Sequence, residues 1–119
     1  MKYNVLTIPP FDKQLKRLTK KYASLKKEYS ELLGSLEQGP QQGVPLGNSC
    51  YKIRLAIAAK NKGKSGGARI ISFVESTIVS EIIIEQNNVT VFLISIYDKS
   101  EAESISNIEL KELIKHKLK

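Results

Sequence analysis

The sequence predicts an α+β domain in which two N-terminal helices pack on an antiparallel sheet and a third helix closes the chain. Three observations carry this expectation. Apolar residues from Phe11 to Leu36 recur with a 4–3 alternation, the mark of one helical face. Four runs between Cys50 and Tyr97 have strand character, and Ser104 to Lys119 returns to an amphipathic helical pattern. With 119 residues and 41% apolar content, the chain suits a single domain over residues 1–119 with one core.

Residues 3–8 read as a short strand closed by Pro9-Pro10, and Pro10 suits a helix start, where its missing N–H costs nothing. The apolar stripe that follows occupies positions 11, 15, 18, 22, 25, 29, 32, 33 and 36. It divides best into two helices meeting near Tyr22-Ala23-Ser24, with Ser24 as the cap of the second. Gly34, Gly39-Pro40 and the run from Gly43 to Asn48 then give a loop. Cys50 to Ala58 alternates, with Tyr51, Ile53, Leu55 and Ile57 on one face and Lys52 and Arg54 on the other. Lys60 to Gly67 is a flexible basic turn, and Ala68 to Glu75 a further strand with Arg69 near its start. Ile78 to Glu85 and Val89 to Tyr97 are two more apolar runs, and Gln86-Asn87-Asn88 between them suits a tight hairpin. Ser106 or Asn107 is placed to cap the last helix.

The charge is uneven. Nineteen bases against 12 acids leave a net +7. Asp12 to Lys27 carries Lys13, Lys16, Arg17, Lys20, Lys21, Lys26 and Lys27 against a single acid. Cys50 to Ile70 carries Lys52, Arg54, Lys60, Lys62, Lys64 and Arg69 against none. A polyanion is the partner such regions suit, since each neutralised phosphate releases condensed counterions. The first cluster also has a plainer reading, as the solvated face of a helix.

Other chemistries find little support. No apolar run approaches the roughly 18 residues that span a bilayer, and the residues from Met1 to Pro10 have no leader-like apolar core. The expectation is a cytoplasmic domain with no membrane partner. Cys50 is the only cysteine, so no internal disulfide forms, and with His116 alone it makes no structural zinc site; no metal and no cofactor are expected. Gly63-Lys64-Ser65 lacks the earlier glycine of a phosphate-binding loop, since Ala58 stands there. Neither paired carboxylates nor a nucleophile with its base stands out. What remains is Lys52, Arg54 and Arg69 on neighbouring strands, with Tyr97 and Lys99 at the end of the last strand. These five side chains converge on one positive face if the strands pair as hairpins; the plainer reading is a sheet edge guarded by cations.

At these residues the sequence resembles the RelE/ParE toxin superfamily, and within it the RelE/HigB-type toxins. The resemblance rests on Cys50-Tyr51-Lys52-Ile53-Arg54-Leu55, Gly66-Gly67-Ala68-Arg69-Ile70-Ile71 and the run from Val91 through Tyr97-Asp98-Lys99-Ser100-Glu101, in that order. It implies two helices on a curved antiparallel sheet and a toxin of a type II toxin–antitoxin pair that cleaves mRNA in the ribosomal A site without a metal. Its partners would be that mRNA, ribosomal RNA and a cognate antitoxin protein. By motif, Lys52 and Arg54 match the family's basic pair, Arg69 the arginine after the glycine turn, and Lys99 a further basic position with Tyr97 beside it. Lys60, Lys62 and Lys64, with Lys20 and Lys21 of the helix cluster, would grip RNA. The sequence departs from the family at Ile105, near which RelE has a tyrosine, and in a longer stretch from Glu75 to Glu85. A gyrase-inhibiting toxin of the ParE kind and a non-catalytic RNA-binding module are the competing readings.

Overall fold

The computed structural model describes residues 2–60, 66–80, 85–101 and 106–116, without the side chains of residues 2, 3, 76–80, 85–88, 107 and 116. It is an α+β fold with helices packed on a five-stranded sheet, as the sequence predicts. The strands are β1 (Lys2–Thr7), β2 (Val44–Gly47), β3 (Cys50–Leu55), β4 (Ala68–Ser80) and β5 (Glu85–Asp98). The helices are α1 (Pro9–Lys21), α2 (Leu25–Gln38) and α3 (Asn107–His116).

The sheet order is β1-β5-β4-β3-β2. All neighbours are antiparallel except β1, which runs parallel to β5 with Lys2 opposite Asn88 and Thr7 opposite Leu93. The sheet is therefore mixed where an antiparallel one was expected. The chain between β1 and β5 runs through α1, α2 and three strands, far longer than the crossover that a parallel pair requires.

Helix α1 starts on Pro9 and Pro10 and buries Phe11 and Leu18; α2 buries Leu25, Leu32 and Leu36. These positions are the predicted stripe. They pack with Ile53, Ile70, Val91, Leu93 and Ile96 into one core. Ser24 stands at the start of α2 but does not cap it. Its hydroxyl instead accepts the Ala59 N–H at 3.0 Å and donates to Glu28, whose other oxygen accepts the Ala58 N–H at 2.8 Å. The two side chains thus tie α2 to a single 3₁₀ turn at Ala58–Lys60, so the strand read as reaching Ala58 ends at Leu55. Ser106 does cap α3, accepting the Glu109 N–H at 3.1 Å while donating to the Glu109 carboxylate.

Strand β2 was not anticipated, because Pro45 and the flanking glycines read as loop. It pairs with β3 through Asn48 and Ser49, both at positive φ (54° and 63°), the two-residue turn whose twist matches a hairpin. The run Ile78 to Glu85 is not a strand of its own. Ile78–Ser80 continue β4, and Gln86, Asn87 and Asn88 lie within β5 opposite Val79, Ile78 and Thr77. Their turn-like composition was misleading; residues 81–84 lie outside the described residues.

Gly67 explains the glycine pair ahead of β4. A Cβ there would lie 2.1 Å from the Leu55 carbonyl oxygen and 3.0 Å from Ala56 Cα, both backbone atoms. Gly67→Ala is expected to destabilise the fold by about 1–3 kcal/mol, as overpacking does. Urea denaturation measures this; an unchanged midpoint would mean that β3 and β4 separate freely at this end.

Candidate functional site

Strand pairing decides which predicted residues meet. Arg54 of β3 is directly opposite Arg69 of β4, and Arg69 is directly opposite Tyr97 of β5. Opposed residues of neighbouring strands share a face, so these three form a row across the sheet. Lys52, opposite Ile71, lies on the same face one pleat away from Arg54. Lys99 follows β5, and its N–H donates to the Gly67 carbonyl at 2.9 Å, which fixes it at the end of the sheet where the row sits.

The alternate residues Leu55, Ala68 and Asp98 point to the other face, where Asp98 accepts the hydroxyl of Tyr22 at the end of α1. The two N-terminal helices therefore cover the face away from the row. Helix α3 lies beside β5: Ile94 and Ser95 line a groove between Pro9 and Pro10 at the start of α1 and Ile108 and Leu113 of α3.

The environments along the row differ. Arg54 is exposed and Lys52 half-buried, whereas Arg69 is 4% exposed, with one guanidinium N–H donating to the Ala68 carbonyl at 3.1 Å. Burial pushes the Tyr97 phenol above its ordinary value; Arg69 opposes this and Glu109 of α3 adds to it. Tyr97 is therefore a protonated phenol at neutral pH, a donor and not a base. Its hydroxyl is buried and has no hydrogen-bond partner among the described residues. Tyr97→Phe is accordingly expected to raise stability by about 1 kcal/mol, because it removes an unpaired buried polar group. Thermal unfolding in parallel with wild type checks the sign, and a lower midpoint would show that the hydroxyl is bonded after all.

The RNA-gripping lysines fare less evenly. Lys60 is not an exposed cation of a basic turn. Its side chain is 8% exposed and is ion-paired with the fully buried Asp98, and its ammonium lies 5.6 Å from the centre of the Tyr22 ring. The charge is consumed inside the fold, on the face opposite the row, so Lys60 is withdrawn as a nucleic-acid contact. Lys62 and Lys64 lie outside the described residues, as does Ile105. Lys20 and Lys21 are exposed on α1 and share a groove of 580 Å³ with Lys13, Lys16 and Arg17. That groove belongs to the helix layer, and the structure does not bring it to the row. Arg17 is already engaged, its two terminal nitrogens donating to both oxygens of Glu101 at 2.8 and 3.0 Å.

Asp98 is the residue whose importance sequence reasoning missed. Burial alone would raise its pKa, but hydrogen bonds from Lys60, Tyr22 and Ser100 outweigh this and hold the carboxyl well below the usual carboxylate range. Cys50 is buried, and burial pushes its thiol up to about 11, which makes it inert as a nucleophile. Among the described residues no group of three or more His, Cys, Asp or Glu is placed to hold a metal ion. No helix among them is long and apolar enough to cross a membrane.

No family model matches the chain, and neither a curated protein nor a solved structure matches it.

Proposed function

We propose that this chain is the toxin of a type II toxin–antitoxin pair, a metal-independent, ribosome-dependent mRNA endonuclease acting in the cytoplasm and restrained by a cognate antitoxin protein. One observation carries the reading. Arg54 and Arg69 are directly opposed on one sheet face, and a phosphodiester is the anion that two guanidinium forks match.

The rest of the row supports the same chemistry. Cleavage without a metal requires the 2′-hydroxyl to lose a proton and attack the adjacent phosphorus while the P–O5′ bond breaks. The products are a 2′,3′-cyclic phosphate and a free 5′-hydroxyl, so one proton is removed and one delivered. Tyr97, held protonated by burial, suits delivery to the leaving 5′-oxygen. Lys52 is the candidate to accept the 2′-hydroxyl proton, with Lys99 the alternative. Arg54 and Arg69 stabilise the charge that builds on the phosphate oxygens in the transition state. Lys20 and Lys21, with their neighbours on α1, would contribute attraction to ribosomal RNA that weakens with salt and reads no sequence.

Primer extension on a reporter mRNA in a purified translation system tests the proposal. Discrete cuts that require ribosomes are expected with wild type. Intact mRNA, from folded protein that still arrests growth in cells, would move the target to gyrase or another protein. Intact mRNA without growth arrest, but with salt-sensitive RNA binding, would leave a non-catalytic RNA-binding module.

A further inference from the structure

The face that carries the cation row also carries an apolar row. On β4, alternation that places Arg69 and Ile71 on this face places Phe73 there too; the bulge beside them adds Ile94 to β5 and leaves β4 regular. Phe73 is directly opposite Cys50 of β3 and Phe92 of β5, and Phe92 is opposite Leu6 of β1. Leu6, Phe92, Phe73 and Cys50 therefore cross the sheet alongside Tyr97, Arg69 and Arg54. Lys52 and Ile71 lie between the two rows. Phe73 follows Arg69 by four residues, which sets it about 13 Å further along β4, with Ile71 half-way.

The chain neighbours of these residues turn into the core under the helices: Val91 and Val74 are buried, and Val5 packs against them. Leu6 by contrast is 50% exposed, and Phe73 and Phe92 are half-buried. Their rings meet edge to face, with centroids 6.4 Å apart. Val44, opposite Lys52 and so on the same face, is 47% exposed. Of the three large hydrophobic residues exposed among the described residues, Leu6 and Val44 thus both lie on the face of the cations. On the strands of this face no Asp or Glu stands between the arginines and the phenylalanines; Glu75 is the next β4 position beyond them.

We infer that Phe73 and Phe92, flanked by Leu6, form a stacking subsite for the bases of single-stranded RNA whose phosphate lies on Arg54 and Arg69. The inference rests on reading the arginines as a phosphodiester site, and it adds the form of RNA that the site takes. Cations that track a backbone beside aromatic rings that stack its bases are the means by which a sheet holds a single strand. Lys52, midway, is placed for the adjacent phosphate, and a base about two nucleotides from the scissile bond then reaches the rings. A duplex keeps its bases stacked inside, so it could use the cations but not the rings. Glu75 closes the far end of the path, where its carboxylate would repel a further phosphate.

Fluorescence anisotropy of the full chain with an end-labelled oligouridine tests the subsite. An abasic strand of the same length carries the same phosphates without bases, and wild type is expected to bind it about 5- to 150-fold more weakly for each base stacked. That ratio should hold as salt rises, because stacking releases no counterions. Phe92→Leu keeps an apolar side chain but loses the flat ring, and is expected to bring the affinity for oligouridine down toward that for the abasic strand. Phe92→Trp, with a larger ring, is expected to bind oligouridine at least as tightly as wild type. If Phe92→Leu does not fold, the two strands on wild type and the tryptophan variant decide. Equal affinity of wild type for both strands, or no binding of either, would overturn the inference. So would a folded Phe92→Leu that binds like wild type. Ribosome-dependent cleavage alongside any of these outcomes would keep the nuclease and remove the subsite, whereas stacking without cleavage would keep the subsite and remove the nuclease.

Discussion

Asp98→Ala is expected to cost about 3–5 kcal/mol of folding stability, the range for breaking a buried ion pair by removing one partner. The size follows from what is left behind. Lys60 has a side chain 8% exposed, and with Asp98 gone its ammonium would be buried without its counter-ion. The Tyr22 hydroxyl and the Ser100 N–H and hydroxyl lose their acceptor in the same step. These groups come from the end of α1, the 3₁₀ turn and the end of β5, so one carboxylate joins three separate parts of the chain. Urea denaturation at neutral pH measures the loss. The double variant Asp98→Ala/Lys60→Met is expected to recover most of it, because the methionine leaves no charge to strand. A single variant within 1 kcal/mol of wild type, as an order-of-magnitude threshold, would show that the pair is solvated.

The same carboxylate sets an acid limit. Its pKa is lower in the folded chain than the ordinary 3.8. A group depressed by folding contributes stability in full above its unfolded value and loses that contribution as pH falls through the folded value. Wild type and Asp98→Ala should therefore differ most at neutral pH and converge progressively below about pH 4. A difference that stays constant down to pH 2 would place the depression elsewhere.

How much of this could be read beforehand depends on the range of the interaction. The helices were legible because Phe11, Leu18, Leu25, Leu32 and Leu36 repeat at a local spacing, and local spacing is what places them in the core. The row was legible in part, since alternation alone puts Lys52 and Arg54 on one face. That Arg54 meets Arg69 and Arg69 meets Tyr97 needed the register, which long-range pairing sets. Lys60 was read wrongly for the same reason. Inside a run of lysines nothing local distinguishes it, and its partner lies 38 positions away at Asp98. Strand β2 and the long β4–β5 ribbon were missed because Pro45 and Gln86-Asn87-Asn88 carry turn chemistry that pairing overrode.

Burial also ranks the tests of the proposed activity. Arg69→Ala would remove a phosphate ligand, yet Arg69 is 4% exposed and its loss opens a space inside the fold, so lost activity and lost structure would be confounded. Arg54 is exposed and opposite it. Arg54→Ala is therefore the decisive variant. It is expected to lower ribosome-dependent cleavage by about 10²–10³-fold, the range for deleting one donor to developing transition-state charge, while denaturation midpoints stay within about 0.5 kcal/mol of wild type. Arg54→Lys is expected to restore charge but only part of the rate, since an ammonium cannot grip two phosphate oxygens as a fork does. Cleavage unaffected by Arg54→Ala would remove the opposed arginines from the chemistry.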